Sequence, residues 1–172
     1  MKKTIVSAAF IVICFLLQST LFSQFAIGGI VPNILIIITA SLSFLQGKRP
    51  GIFIGFFCGL LVDLFFGSFI GFYALLYMYV GYVNGQFKKI LFPEDIKLPL
   101  MLIIGSDFSY NVICYFLLFF LKGKFNFFYY LLHIIIPEVV YTTVLAFILY
   151  PMIHAIYRKL EYSDKKGEQN IV

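Results

Sequence analysis

Tryptophan is missing altogether and charge is scarce: only 12% of the 172 residues are Asp, Glu, Lys or Arg. A soluble domain carries roughly twice that share, about 25%, so a water-facing surface around an ordinary core is excluded. Without Trp, any aromatic girdle at a membrane–water boundary falls to the twelve tyrosines. The three cysteines, Cys14, Cys58 and Cys114, lie inside apolar runs with no metal-site spacing. That excludes a disulfide framework and leaves them as small hydrophobes. No HExxH, no glycine-rich phosphate loop, no nucleophile beside a histidine and no paired carboxylates at one depth occur. His133 and His154 fall toward opposite ends of the last apolar segment and do not form a joint metal site. The expectation is a non-catalytic protein without metal or cofactor.

What the chain does have is apolar length. Hydrophobic residues make up 62% of it, and the mean hydropathy is +0.98. The net charge of +5 does not point to nucleic acid, because the bases sit in short clusters between apolar runs, as they do beside membrane helices. The solvent implied is a lipid bilayer. Met1-Lys2-Lys3 followed by an apolar run has the look of a signal peptide, but the run continues uncharged to Gly47, so a first membrane helix is expected instead.

A helix needs about 20 apolar residues to cross a hydrocarbon core of about 30 Å. Residues 4–47 exceed one span and break at Gly28-Gly29-Ile30-Val31-Pro32-Asn33, which predicts helices over residues 4–25 and 32–46. Lys48-Arg49-Pro50 closes that pair. A third helix is expected over 51–66, a Gly67-Ser68 turn, a fourth over 69–87, a charged loop over 88–97 and a fifth over 98–121. The Phe/Tyr-rich stretch 125–136 suits the membrane interface, ahead of a sixth helix over 137–157 that Pro151 kinks. The expected domain is residues 1–157, an all-α bundle of six transmembrane helices, with 158–172 a frayed polar tail. With the N-terminus in the cytoplasm, only Lys122 and Lys124 of the thirteen bases lie outside. Both termini are then cytoplasmic.

Gly51, Gly55, Gly59, Asp63, Gly67 and Gly71 recur at four-residue steps, and Gly81 and Gly85 repeat the spacing in helix 4. Such glycines form a groove that lets a neighbouring helix approach closely. Internal packing of helix 3 on helix 4 or helix 1 is one reading; docking of a separate protein's helix is the other. Asp63 lies one turn before the Gly67-Ser68 turn; it can accept hydrogen bonds from the free N–H groups opening helix 4, the simplest reading, or contact a partner protein, or handle an ion or proton. Asp107 is near mid-membrane with Asn111 one turn on, and Ser106 and Tyr110 nearby. A polar knot between helices and a transport site are the two readings of that cluster, the knot being the simpler. Glu138, after Pro137, is suited to the first turn of helix 6 by the helix dipole.

The order of these motifs resembles the rod shape-determining MreD family. The resemblance runs from Leu17-Gln18-Ser19-Thr20-Leu21 and Pro32-Asn33-Ile34-Leu35 through the GxxxGxxxGxxxD run of Gly51 to Asp63, then Gly67, Gly71 and Gly81-Tyr82. The family's helix 4 often carries a His where this chain has Gly71-Phe72-Tyr73-Ala74. The resemblance implies a component of the bacterial cell-elongation machinery in the plasma membrane. It implies binding to the single-span protein MreC, alongside MreB, RodA and a class B penicillin-binding protein. It also implies a fold like the substrate-binding subunits of energy-coupling-factor vitamin transporters. A vitamin-capturing subunit, with a ligand near Asp107 and Asn111, is accordingly the alternative expectation. The AxxxA docking motif of such subunits is lacking, since Val12 follows Ala8 and Ile13 follows Ala9 at that spacing.

Overall fold

The computed structural model describes residues 2–22, 24, 29–67, 70–88, 97–118 and 126–169, and all the elements assigned among them are helical. We number six: α1 (Lys2–Leu17), continued by a π-helical turn (Gln18–Phe22); α2 (Ile34–Gln46); α3 (Lys48–Phe66); α4 (Phe72–Phe87); α5 (Lys97–Leu118); and α6. The last is composite, with Phe127–Tyr130 and Ile136–Gln169 α-helical and Leu131–Ile135 π-helical between them. Four of these helices are long and apolar enough to cross a membrane.

The bundle is organised around its shortest long element. At 1.5 Å per residue, the 13-residue α2 is only about 20 Å long. Yet every residue from Ile34 to Leu45 is buried, so α2 meets protein on all sides and lipid on none. That explains why it has no polar face: the apolar run from Ile34 to Ile38 is followed only by small or apolar residues up to Leu45. The outward faces of the others are apolar too, with Phe53, Phe57, Leu75, Phe147 and Ile148 all more than half exposed. A hydrophobic surface of this kind, over a helical scaffold whose backbone bonds are internal, is that of an integral membrane protein.

Several boundaries differ from those read in the sequence. Asn33, not Pro32, sets the start of α2: its Oδ1 accepts from Ile36 N at 3.3 Å. Lys48-Arg49-Pro50 is not a closing loop but the first turn of α3, entered through Gly47 at φ 102°. Pro50 fits there because a first-turn N–H has no helical acceptor to lose. α4 begins at Phe72 rather than residue 69, entered through Gly71 at φ 102°.

The largest difference is in α6. Phe127–Ile136 does not lie apart as an interfacial stretch, and Pro137 does not open the helix. The π turn ahead of Pro137 supplies the reason. Proline lacks an N–H and its ring crowds the carbonyl four residues back; a locally widened turn relieves that crowding and lets the helix run on. The helix continues through Pro151 to Gln169, so the tail from Arg158, expected to be frayed, is helical that far. The expected ends of helix 1 at residue 25 and of helix 5 at 121, residues 68–69, most of the charged loop and Lys122-Gly123-Lys124 lie outside the described residues.

Candidate functional site

Three features carry the residues singled out in the sequence: a glycine seam, a capping carboxylate and a polar network beside a cavity.

The seam joins α3 to α4. A Cβ placed on Gly55 would overlap the carbonyl of Tyr77 and stand 2.9 Å from Met78 N; one on Gly59 would overlap Tyr73 and Ala74 backbone. Gly51 and Gly81 face each other, with Ser43 of α2 wedged against both, and Gly85 abuts Gly47 and Lys48. The two helices are thus in backbone contact along most of their length, the geometry that small residues at four-residue spacing permit. The groove is filled from within by α4. A separate protein's helix has no access to these glycines, which corrects the docking reading of Gly51, Gly55, Gly59, Gly81 and Gly85. Gly67 packs on Asp63 of its own helix, and Gly71 is required for its positive φ rather than for a close approach.

Asp63 is buried and serves the turn it precedes. Its Oδ1 accepts from Tyr73 N at 2.9 Å, and its Oδ2 from Gly71 N at 3.0 Å and Ala74 N at 2.9 Å. Three N–H groups that open α4 would otherwise have no acceptor in an apolar medium. The capping expectation is met by main-chain donors alone, so a His in α4 is not needed as a partner.

The polar network begins at Asn33, which the sequence reading did not weigh as a site. Besides capping α2, its Oδ1 accepts from Tyr77 Oη at 2.7 Å, and its main-chain N–H donates to Thr142 Oγ1 at 3.0 Å. Thr142 stands beside Asp107, which is fully buried. Asn111 Nδ2 donates to the Asp107 main-chain carbonyl at 3.1 Å and reaches its Oδ1 at 3.5 Å. On the other side Asn111 meets Glu138. Asp107, Asn111 and Glu138 therefore lie together, and the chain of contacts runs through α4, α2, α6 and α5. Glu138 is not in a free first turn, since α6 starts at Phe127; it belongs to this network. Ser106 points elsewhere, accepting from Asn84 Nδ2 at 2.7 Å and tying α4 to α5.

Above the network opens a cavity of about 460 Å³ to which all six elements contribute. Gln18 and Ser19 follow α1, Asn33 opens α2, Val62 and Phe66 end α3, Tyr73 and Tyr77 begin α4, Asn111 and Cys114 lie late in α5, and Tyr130 and Glu138 lie early in α6. All of these positions are at the end of the bundle away from Lys48, Lys88, Lys97 and Arg158. A second hollow, an apolar groove of about 670 Å³, runs along the outside between α1 and α3. It is bounded at one end by Gln46 Nε2 donating to Ser7 Oγ at 2.8 Å and at the other by Phe15 against Phe65, with ring centroids 4.9 Å apart.

Neither hollow holds a nucleophile–base pair, and no group of three or more His, Cys, Asp or Glu suited to a metal occurs among the described residues. No curated protein and no solved structure matches the chain. A family model does, that of the rod shape-determining protein MreD, over residues 2–160. The chain, an all-helical membrane scaffold matched over nearly its whole length, thus belongs to the MreD family of rod shape-determining membrane proteins.

Proposed function

We propose that the chain is a non-catalytic membrane subunit of the bacterial elongation machinery that binds the transmembrane helix of MreC. In that complex it works alongside MreB, RodA and a class B penicillin-binding protein in peptidoglycan synthesis. The family match over residues 2–160 carries this reading. The basic end of the bundle is the cytoplasmic face of the inner membrane, where positive residues are retained, and both termini lie on that side.

The groove between α1 and α3 is the docking surface. The glycine seam fixes one side of α3 against α4, so the opposite side of α3 is held rigidly toward lipid. It presents Phe53, Phe57, Leu60 and Leu64, and across the groove α1 presents Ala8 and Val12. From Phe53 to Leu64 is about 16 Å along a helix, three turns of side chains into which a single spanning helix can pack. In lipid such association rests on van der Waals fit rather than on hydrophobic transfer. A preformed hollow with one small-residue wall is therefore worth more than a flat apolar face. Arg49 at the basic rim of the same groove suits an acidic or polar residue flanking the incoming helix.

The test is co-purification with tagged MreC in mild detergent. Ala8→Trp fills the groove without touching the seam and is expected to reduce MreC recovery at least about tenfold, a loss of roughly 1.4 kcal/mol. Leu75→Trp, on the exposed face of α4, should leave recovery unchanged. Full recovery with Ala8→Trp removes the groove as the docking surface. Absence of MreC from the wild-type preparation, with other elongation proteins present, removes MreC as the direct partner.

A further inference from the structure

The cavity at the end away from Lys48, Lys88, Lys97 and Arg158 has a specific chemistry. Glu138 lies in its wall, Asn111 beside it, and Asp107 one turn beneath. The Asp107 carboxyl is fully buried, with Asn111 at its Oδ1 and Thr142 beside it, and the two acids are close enough to act on each other electrostatically. Among the described residues, no Lys or Arg lines the cavity. Two carboxyl groups at one place in a membrane protein, with no basic side chain beside them among those residues, favour a positively charged guest. The rest of the wall is aromatic. Tyr73 and Tyr77 both pack against Tyr110, the first tilted and the second edge-to-face, with ring centroids 6.2 and 5.3 Å apart, and Tyr130 stands on the α6 side. Ring faces beside carboxylates are the combination that holds alkylammonium groups. The volume of about 460 Å³ falls in the range of small-molecule sites, about 300–1,000 Å³.

We propose that this cavity binds an organic ammonium group, its charge set against Glu138 and its carbon against the rings of Tyr73 and Tyr130. The cation enters from the face opposite the basic end. It is carried either by a free small solute or by the headgroup of a lipid such as phosphatidylethanolamine. The site is separate from the α1–α3 groove and does not depend on what that groove binds.

The experiment uses the full chain in nanodiscs of phosphatidylglycerol, with radiolabelled choline as the probe and 3,3-dimethylbutanol as its uncharged isostere. Saturable choline binding is expected, favoured over the alcohol by about tenfold or more and weakened about tenfold by Glu138→Gln. Tyr73→Leu should weaken it as well. That substitution removes a ring while leaving the Tyr73 main-chain bond to Asp63, so it stands as a second variant should Glu138→Gln fail to fold. The preference for choline over the alcohol is read on the unmodified protein and needs no variant. No saturable binding at tens of millimolar, equal binding of the alcohol, or binding indifferent to both substitutions overturns the proposal. Adding phosphatidylethanolamine to the discs separates the sources. Competition with choline identifies the lipid headgroup, and undiminished choline binding identifies a free solute.

Discussion

Replacing Gly55 by alanine adds one methyl group at one of the two tightest points between α3 and α4. That methyl overlaps the Tyr77 carbonyl and approaches Met78 N to 2.9 Å. Both are main-chain atoms of a helix and neither can swing aside. Ordinary contact is regained only if α3 and α4 part by roughly an ångström, a gap that forfeits about a quarter to a half of each dispersion contact along the seam. Overpacking of this kind costs about 1–3 kcal/mol, and the rigid backbone on both sides puts this site at the upper end. Alanine is the better helix former by about 1 kcal/mol, which offsets part of the loss and leaves a net destabilisation of about 2 kcal/mol. At roughly 2–4 °C per kcal/mol for a chain of this size, thermal unfolding in detergent should fall by about 4–8 °C. Gly105 of α5 provides the control, because a Cβ there meets nothing within 4 Å. Gly105→Ala should match or exceed the wild-type midpoint. Equal midpoints for Gly55→Ala and the wild type would refute the claim that the seam is closed by backbone contact.

Asp63→Ala strands three N–H donors at the start of α4 and should cost about 2–4 kcal/mol by the same melting assay, with Asp63→Asn intermediate because one oxygen still accepts. Asn33→Ala removes the α2 cap and the Tyr77 hydroxyl's acceptor together, for about 2 kcal/mol, whereas Tyr77→Phe should cost only about 1 kcal/mol. Gly71→Ala forces a side chain to φ 102° with no steric neighbour, so its penalty of about 1–2 kcal/mol is conformational alone. An unchanged midpoint for Gly71→Ala would mean the turn relaxes to an ordinary φ.

The glycine ladder and Asp63 were legible because their physics is local. Four-residue spacing places the glycines on one face, and an acid one turn before a glycine turn has an obvious set of donors. Which helix fills the groove was not legible, since α1 and α4 are equally apolar and the spacing says nothing of the partner. Asp107 and Asn111 were legible as a pair by the same four-residue rule. Glu138 and Thr142 form a second such pair on α6, and the two pairs meeting across an antiparallel interface was a signal available but unused. Pro137 misled for a physical reason. Proline marks a helix start unless a wider turn precedes it, and the apolar sequence Leu131–Ile135 carries no sign of a π turn. The first turn of α3 was missed likewise, because Lys48-Arg49-Pro50 has the composition of a loop although Pro50 is well placed in a helix's opening turn. The roles of Asn33 and Tyr77 depend on contacts between helices far apart in the chain, beyond the reach of periodicity.

The most direct test of the account is site-specific photo-crosslinking in living cells, with a benzophenone amino acid at Phe57 in the α1–α3 groove and, separately, at Leu75 and Phe147 on other exposed faces. The account predicts an adduct with MreC from Phe57 and none from Leu75 or Phe147. Adducts from Leu75 or Phe147 with none from Phe57 would contradict it.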